Sequence, residues 1–238
     1  MSEAGHIAHD VPEARRPVAP KARPQEVNES RYEHIVDVAA ELFRRKGYAA
    51  TSINDIAEAA GLMKGSLYHY INSKEDLLSA IVDQAHHNTA SLGEELLAAD
   101  ATAEDKLRFV VRRHLRGTEQ NQTKIQVLYR EFPVLPAERF AEVIRRRDTY
   151  ERAVRELVRQ GQREGTFAPT LNPWLTAASI LATLNSVQAW FTPDGPMSMT
   201  EIIDGYTALL LRSVGVETEN GPAGPAGKTS AEDAGEPG

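Results

Sequence analysis

The chain has 238 residues, 41% of them hydrophobic and 6% aromatic, with no cysteine and a formal net charge of −7. That length allows one large domain or two small ones around a sizeable core, and the missing thiols exclude disulfides, thiolate nucleophiles and Cys-ligated zinc while suiting a reducing, cytoplasmic setting. The acidic total excludes general coating of DNA or membrane but leaves room for a local DNA-reading face.

Residues 1–29 hold Pro12, Pro17, Pro20 and Pro24 and almost no large apolar side chain, so a disordered arm is expected. Its basic residues Arg15, Arg16, Lys21 and Arg23 either touch phosphates or are simply solvated. A first helix is expected from about Arg31 to Arg45. Ser30 and Glu33 have capping-box spacing, and Ile35, Val38, Ala39, Leu42 and Phe43 form one stripe. Gly47 stops it. A second helix, Ile53 to Ala60, has Ser52 as cap and Asp55 at the third position, and Gly61 ends it. A short third helix spans Lys64 to His69. Asn72-Ser73 opens a fourth, with Ser73 paired to Asp76, that continues to about Leu97, with Gly93 as a point where it bends or breaks.

Thr102 and Asp105 start the next helix, which ends near Gly117, and a shorter one covers Thr123 to Phe132 before Pro133 and Pro136. A long amphipathic helix spans Ala137 to Glu164 and stops at Gly165. Asn172-Pro173 opens another, since proline fits a first turn, and it ends before Pro193. The last runs from about Thr200 to Val214. Residues 216–238, rich in Gly, Pro, Ala and acid, read as a disordered tail. No segment alternates with period two, so the fold class is all-α, about nine helices and no sheet. The most apolar stretch, Trp174 to Phe191, is broken by Thr176, Ser179, Thr183, Asn185, Ser186 and Gln188. A membrane span needs ~20 mostly apolar residues, so no membrane partner is expected.

The second and third helices, joined by Ala60-Gly61-Leu62, have the tight turn of a helix-turn-helix. Ile53, Ile56, Ala57, Leu62 and Leu67 would share a small core with Leu42 and Phe43. The remaining face carries Lys64, Gly65, Ser66, Tyr68 and His69: a cation, a glycine that permits close backbone approach, and short polar groups at a helix start. Residues 31–77 resemble the DNA-binding region of the TetR family of repressors. The matching strings are Ile35…Ala39…Leu42-Phe43…Lys46-Gly47-Tyr48, Thr51-Ser52-Ile53…Asp55-Ile56-Ala57, Ala60-Gly61-Leu62…Lys64-Gly65-Ser66-Leu67-Tyr68-His69-Tyr70, and Asn72…Lys74-Glu75-Asp76-Leu77. Met63 stands where the family often has serine, and Ile71 where phenylalanine is common.

The resemblance implies that Lys64, Gly65, Ser66 and His69 face a groove of double-stranded operator DNA. It implies that Thr51, Tyr68 and Lys74 hold phosphates and fix register. The alternatives are a core aromatic for Tyr68 and a solvated helix-start residue for Lys74. Residues 31–74 carry six cations against five anions, a net of +1, so binding depends on placement and pairing of two readers more than on bulk charge. The implied division is an N-terminal three-helix helix-turn-helix DNA-binding domain over 30–78 and a C-terminal helical-bundle ligand-binding and dimerisation domain over 79–215.

In that second half, Trp174, Ala177, Leu181, Leu184 and Gln188 share one helix face, and Ala178, Ala182, Asn185 and Ala189 another. In the last helix Ile202, Ile203, Tyr206, Leu209, Leu210 and Leu211 are apolar on more than one side. A helix apolar on two faces must be covered twice, by its own chain or by a second copy, and the resemblance favours a homodimer. Candidate effector-binding residues are Leu128, Tyr129, Phe132, Phe140, Ile144, Arg147, Trp174, Leu181, Asn185 and Trp190. The long helix carries Arg145, Arg146, Arg147, Arg152, Arg155, Arg159 and Arg163. These are either i,i+4 partners of Glu142, Asp148 and Glu151 on a solvated face, or a cationic rim for an anionic ligand. The stretches Tyr129-Arg130-Glu131-Phe132, Arg145-Arg146-Arg147-Asp148 and Gly161-Gln162…Gly165 are also similar to TetR-type repressors of fatty-acid and sterol breakdown. That similarity implies an acyl or steroid coenzyme A thioester as effector.

No metal, cofactor or catalytic residue is expected. His6 and His9 lie in the arm, His69 on the DNA face, His86 and His87 diverge on a helix, and His34 and His114 are isolated. There is no Glu-x-x-His pair, phosphate loop or nucleophile elbow. A ligand-independent architectural DNA binder and an activator on the same fold are the other readings.

Overall fold

The computed structural model describes residues 24–135 and 137–217, apart from the side chains of residues 24–27, 86–90 and 134. Residues 1–23 of the expected arm, residues 218–238 of the expected tail and the side chains of His86 and His87 therefore lie outside the described residues, whereas residues 24–29, expected in the disordered arm, are helical. The elements are α1 (Pro24–Lys46), α2 (Ile53–Ala59), α3 (Lys64–Leu67), α4 (Lys74–Ala98), α5 (Ala103–Glu131), a 3₁₀ turn (Phe132–Val134), α6 (Ala137–Glu164), α7 (Pro173–Trp190) and α8 (Met199–Ser213). No strand occurs among the described residues.

Local signals account for most helix starts. Ser52 with Asp55, Ser73 with Asp76 and Ser198 with Glu201 each form a reciprocal capping box, which satisfies backbone N–H groups that a helix start leaves open. Asn172 accepts from the N–H groups of Trp174 and Leu175. Three expectations are corrected. First, α1 begins at Pro24, so Ser30 lies inside the helix and caps nothing; a proline suits a first turn because its fixed φ is already helical. Second, the helices expected on either side of residue 120 are one element, α5, kinked at Asn121 (φ −122°, ψ 20°), whose side-chain amide donates to Gly117 O at 3.2 Å. Third, Gly93 does not break α4. A Cβ there would sit 3.3 Å from Tyr150 Cα, so the glycine lets the α4 and α6 backbones approach.

Two apolar cores result. The first joins Ile35, Ala39 and Phe43 of α1, Ile56 and Ala57 of α2, Leu67 of α3 and Leu77, Leu78 and Ile81 of α4. Val127 and Leu128 of α5, Leu135, and Val143 of α6 belong to it too. The second is the bundle of α4 to α8, with Leu92, Leu107, Leu115, Val154, Leu157, Phe167, Ile180, Leu184, Ile202 and Leu211. Each fully buried side chain of this size contributes roughly 1.5–3 kcal/mol. Helix α4 therefore belongs to both cores, and the end of α5 is built into the first.

Candidate DNA-reading surface and effector cavity

The turn between α2 and α3 needs Gly61, whose φ of +64° is costly for any residue with a Cβ. It presents α3, which ends at Leu67 and not at the expected His69, with Leu67 fully buried underneath and Lys64, Gly65 and, just past its end, Tyr68 and His69 exposed. Ser66 is half-buried. Tyr68 is 48% exposed, which removes the core-aromatic alternative. A Cβ at Gly65 would meet nothing within 4 Å, so the fold itself does not require glycine there. Met63 caps α3 without a side-chain hydrogen bond, as its apolar thioether dictates. Lys64 has no ion pair among the described residues, whereas Arg44 is held by Glu41 and Lys46 by Asp55. Asp55 is held down to about 2, chiefly by the Ser52 hydroxyl and then by the Ser52 N–H and Lys46.

Two residues expected on phosphates are used inside the chain. Thr51 is buried and its hydroxyl donates to Gly47 O at 2.8 Å. Lys74 Nζ donates to Tyr48 O at 2.8 Å and Thr51 O at 2.9 Å, and lies 4.3 Å from the centre of the Tyr48 ring. The two carbonyls and the ring face are the negative partners that offset a lysine in a first helical turn. Thr51 and Lys74 thus brace the turn that leads into the reader.

The end of α5 grips the same turn. Arg130 Nη1 donates to Arg44 O at 2.9 Å, at the end of α1, and the Tyr48 N–H donates to Glu131 Oε1 at 3.1 Å. A Cβ on Gly47 would lie 3.0 Å from Arg130 Nη2. Farther up, Lys124 and Asp37 pair at 2.6 Å.

Immediately before Arg130, Leu128 and Tyr129 help to wall a cavity in the bundle. One lobe, about 280 Å³, is lined by His114, Tyr129, Arg147, Tyr150, Glu151, Ala178, Leu181, Ala182 and Asn185. A narrower lobe of about 60 Å³ shares His114, Tyr129 and Asn185 and adds Thr118, Leu128 and Gln188 among others. The larger lobe is near the lower end of the ~300–1,000 Å³ usual for ligand pockets. His114 Nδ1 lies 3.3 Å from the Tyr150 hydroxyl, and the two rings stack 6.0 Å apart. Burial pushes the His114 ring down to about 4, a hydrogen bond with Asn185 opposing it, so the ring is neutral near pH 7. Burial pushes the Tyr150 hydroxyl up.

Of the residues expected to bind an effector, Leu128, Tyr129, Arg147, Leu181 and Asn185 meet at this cavity. Phe132, Phe140, Ile144, Trp174 and Trp190 do not line it. Phe132 and Phe140 pack on each other, ring centres 4.7 Å apart, and Trp174 and Trp190 are 54% and 48% exposed on α7. The arginines of α6 divide in the same way. Arg145 and Arg146 pair with Glu142, Arg155 with Glu151, and Arg159 and Arg163 with Glu156. Arg152 bonds Asp148 O and Thr149 Oγ1 rather than the Asp148 carboxylate. Arg147 is exposed at the cavity and has no ion pair among the described residues. His114, expected to be isolated, and Tyr150 were missed. The available signal was the i, i+3, i+4 set His114, Gly117 and Thr118, which puts small and polar groups on an inward helix face.

Residues 35–81 match the family described as bacterial regulatory proteins, tetR family, and residues 100–214 match the tetracyclin repressor-like C-terminal domain. The chain is similar to the HTH-type transcriptional repressor KstR2 of Mycobacterium tuberculosis, 25% identical over 186 residues, which cover 78% of this chain and 93% of the relative. Among solved structures, the TetR family transcriptional regulator PfmR from Thermus thermophilus shares 35% identity and a TM-score of 0.68. That match covers 75% of this chain and 97% of the other. AibR, solved in complex with isovaleryl coenzyme A and operator DNA, shares 27% identity and a TM-score of 0.65, over 76% of this chain and 98% of the other.

Proposed function

The chain belongs to the TetR family of DNA-binding transcriptional regulators, a family of regulators and not of enzymes, and on that premise we propose that it is a homodimeric repressor released from its operator by a coenzyme A thioester. The observation that carries the effector half is the cavity with Arg147 at its edge, without an ion pair among the described residues, beside arginines that are nearly all occupied. A free guanidinium grips phosphate well, and the similar protein AibR binds isovaleryl coenzyme A.

The exposed set Lys64, Gly65, Tyr68 and His69, with Ser66 beside it, is the reading surface. Gly65 lets the backbone approach DNA, and Lys64 and Tyr68 supply a cation and a hydroxyl. One short helix reads only a few base pairs, so specificity requires two readers, on half-sites ~34–36 Å apart. Trp174, Leu175, Trp190 and Leu209, each about half exposed on α7 and α8, are the apolar surface that a second copy would cover. Trp174→Glu with Leu209→Glu is expected to give monomers in sedimentation, and dimers of that variant would contradict this interface.

The effector acts as a population shift, which requires it to prefer one spacing of the two readers. Two elements link cavity and reader. Helix α4 crosses both cores, and α5 ends with Tyr129 on the cavity and Arg130 and Glu131 on the Gly47–Tyr48 turn. The test is fluorescence anisotropy of the protein on DNA from the intergenic region beside its own gene, with and without a panel of acyl and steroid coenzyme A thioesters. Specific binding that one thioester releases is the expected result. Specific binding that no thioester disturbs would remove the coenzyme A effector, and binding no better than random DNA at low salt would remove this operator.

A further inference from the structure

Three polar side chains from three helices converge on the larger lobe of the cavity: His114 of α5, Tyr150 of α6 and Asn185 of α7. His114 Nδ1 lies 3.3 Å from the Tyr150 hydroxyl, and the Asn185 side chain is the imidazole's other hydrogen-bond partner. Tyr150 is only 3% exposed. The network leaves capacity unused. A neutral imidazole has one donor and one acceptor, which two neighbours such as Tyr150 and Asn185 suffice to satisfy. Asn185 offers an amide with two N–H groups and a carbonyl, and His114 is its only side-chain partner among the described residues. In the tautomer with the proton on Nδ1, His114 donates to the phenol oxygen and the Tyr150 O–H is left as a free donor. These groups line a cavity wide enough for a ligand, where a hydrocarbon would strip their water and return no hydrogen bond. The His114 ring is neutral and carries no charge to balance an anion, while the cation Arg147 sits at the exposed edge of the same lobe.

We propose that the acyl part of the effector carries a neutral oxygen function, a ketone in the first instance, which Asn185 and Tyr150 hydrogen-bond while His114 positions both. The site thereby selects oxygenated acyl groups over saturated ones of the same shape. This rests on the effector reading above, so the probes separate the acyl part from the nucleotide.

The test is isothermal titration calorimetry of the full chain with (4-oxocyclohexyl)acetyl and cyclohexylacetyl thioesters, each made on coenzyme A and on N-acetylcysteamine, which lacks the nucleotide phosphates. The keto member is expected to bind roughly tenfold to a hundredfold more tightly in both series. Asn185→Leu and Tyr150→Phe, two separate variants checked for unchanged melting, are each expected to reduce that preference towards one and to keep or raise affinity for the saturated member. Equal affinities of the two acyl groups, a preference that survives both variants, or binding in neither series overturns the proposal. A keto preference with coenzyme A no tighter than N-acetylcysteamine supports it and overturns the coenzyme A part of the effector reading instead.

Discussion

The reader and the cavity use the same kinds of residue in opposite ways. In the reader, Lys64, Tyr68 and His69 stand in solvent on and just after a short helix, and everything that places them lies within a few turns of chain: the Ser52–Asp55 box, the Gly61 turn and Leu67 below. In the cavity, His114 and Tyr150 are 36 residues apart and meet only because α5, α6 and α7 pack. The reader is local, and its chemistry survives as a string. The cavity is tertiary, and its chemistry exists only in the assembled bundle.

The two regions nevertheless share α4 and the end of α5, so the strongest test asks whether they unfold together. Leu67→Ala and Leu184→Ala each empty a fully buried site and are expected to cost about 2–5 kcal/mol. Both should lower the midpoint of one urea transition, followed by far-UV circular dichroism and by fluorescence of Trp174 and Trp190, which lie in the bundle. If Leu67→Ala separates the two signals, the regions are independent and the shared core does not couple them.

Next in size are the lysines. Lys64→Ala is expected to weaken operator binding by roughly 1–3 kcal/mol with the fold intact. Lys74→Met removes the donor to the Tyr48 and Thr51 carbonyls, and is expected to cost about 1–3 kcal/mol of stability while leaving the salt dependence of DNA binding unchanged. A salt slope reduced by about one with stability intact would return Lys74 to the phosphates.

The pH response also differs between regions. His114 has its folded value depressed to about 4 from 6.5. The unfolded chain therefore binds more protons between these values, and stability present above pH 6.5 is lost as pH falls towards 4. The loss is on the order of 1–3 kcal/mol, and His114→Gln should flatten it. Asp55, depressed to about 2 from 3.8, loses its contribution only below pH 4, as pH falls towards 2. Chemical denaturation at pH 7, 5 and 4 separates the two, and an unchanged profile in His114→Gln would show that the ring is not held neutral.

How far the sequence reaches follows from this contrast. Helix α6 was readable to its ends, Ala137 and Glu164, and α2 to within a residue, because stop residues and caps act locally. The exposed face Lys64 to His69 was readable for the same reason. The start of α1 was not, because Ser30 and Glu33 mimic a cap inside a helix that simply continues. The internal roles of Thr51 and Lys74 were hidden because the carbonyls they bond belong to a turn whose shape no local pattern specifies. Trp174 and Trp190 looked like pocket aromatics, but helix phase turns them outward, whereas Asn185 on the same helix turns inward. Periodicity says which residues share a face and not which neighbour that face meets.

The central claim is that what fills the cavity sets the spacing of the two readers. The chain has no cysteine, so Tyr68→Cys offers a single labelling site on each protomer, and a spin-label distance measurement reads the separation directly. With the thioester that releases DNA, the account predicts a shift of the label-to-label distance away from the operator-bound value. The same separation in free, liganded and DNA-bound protein would contradict it.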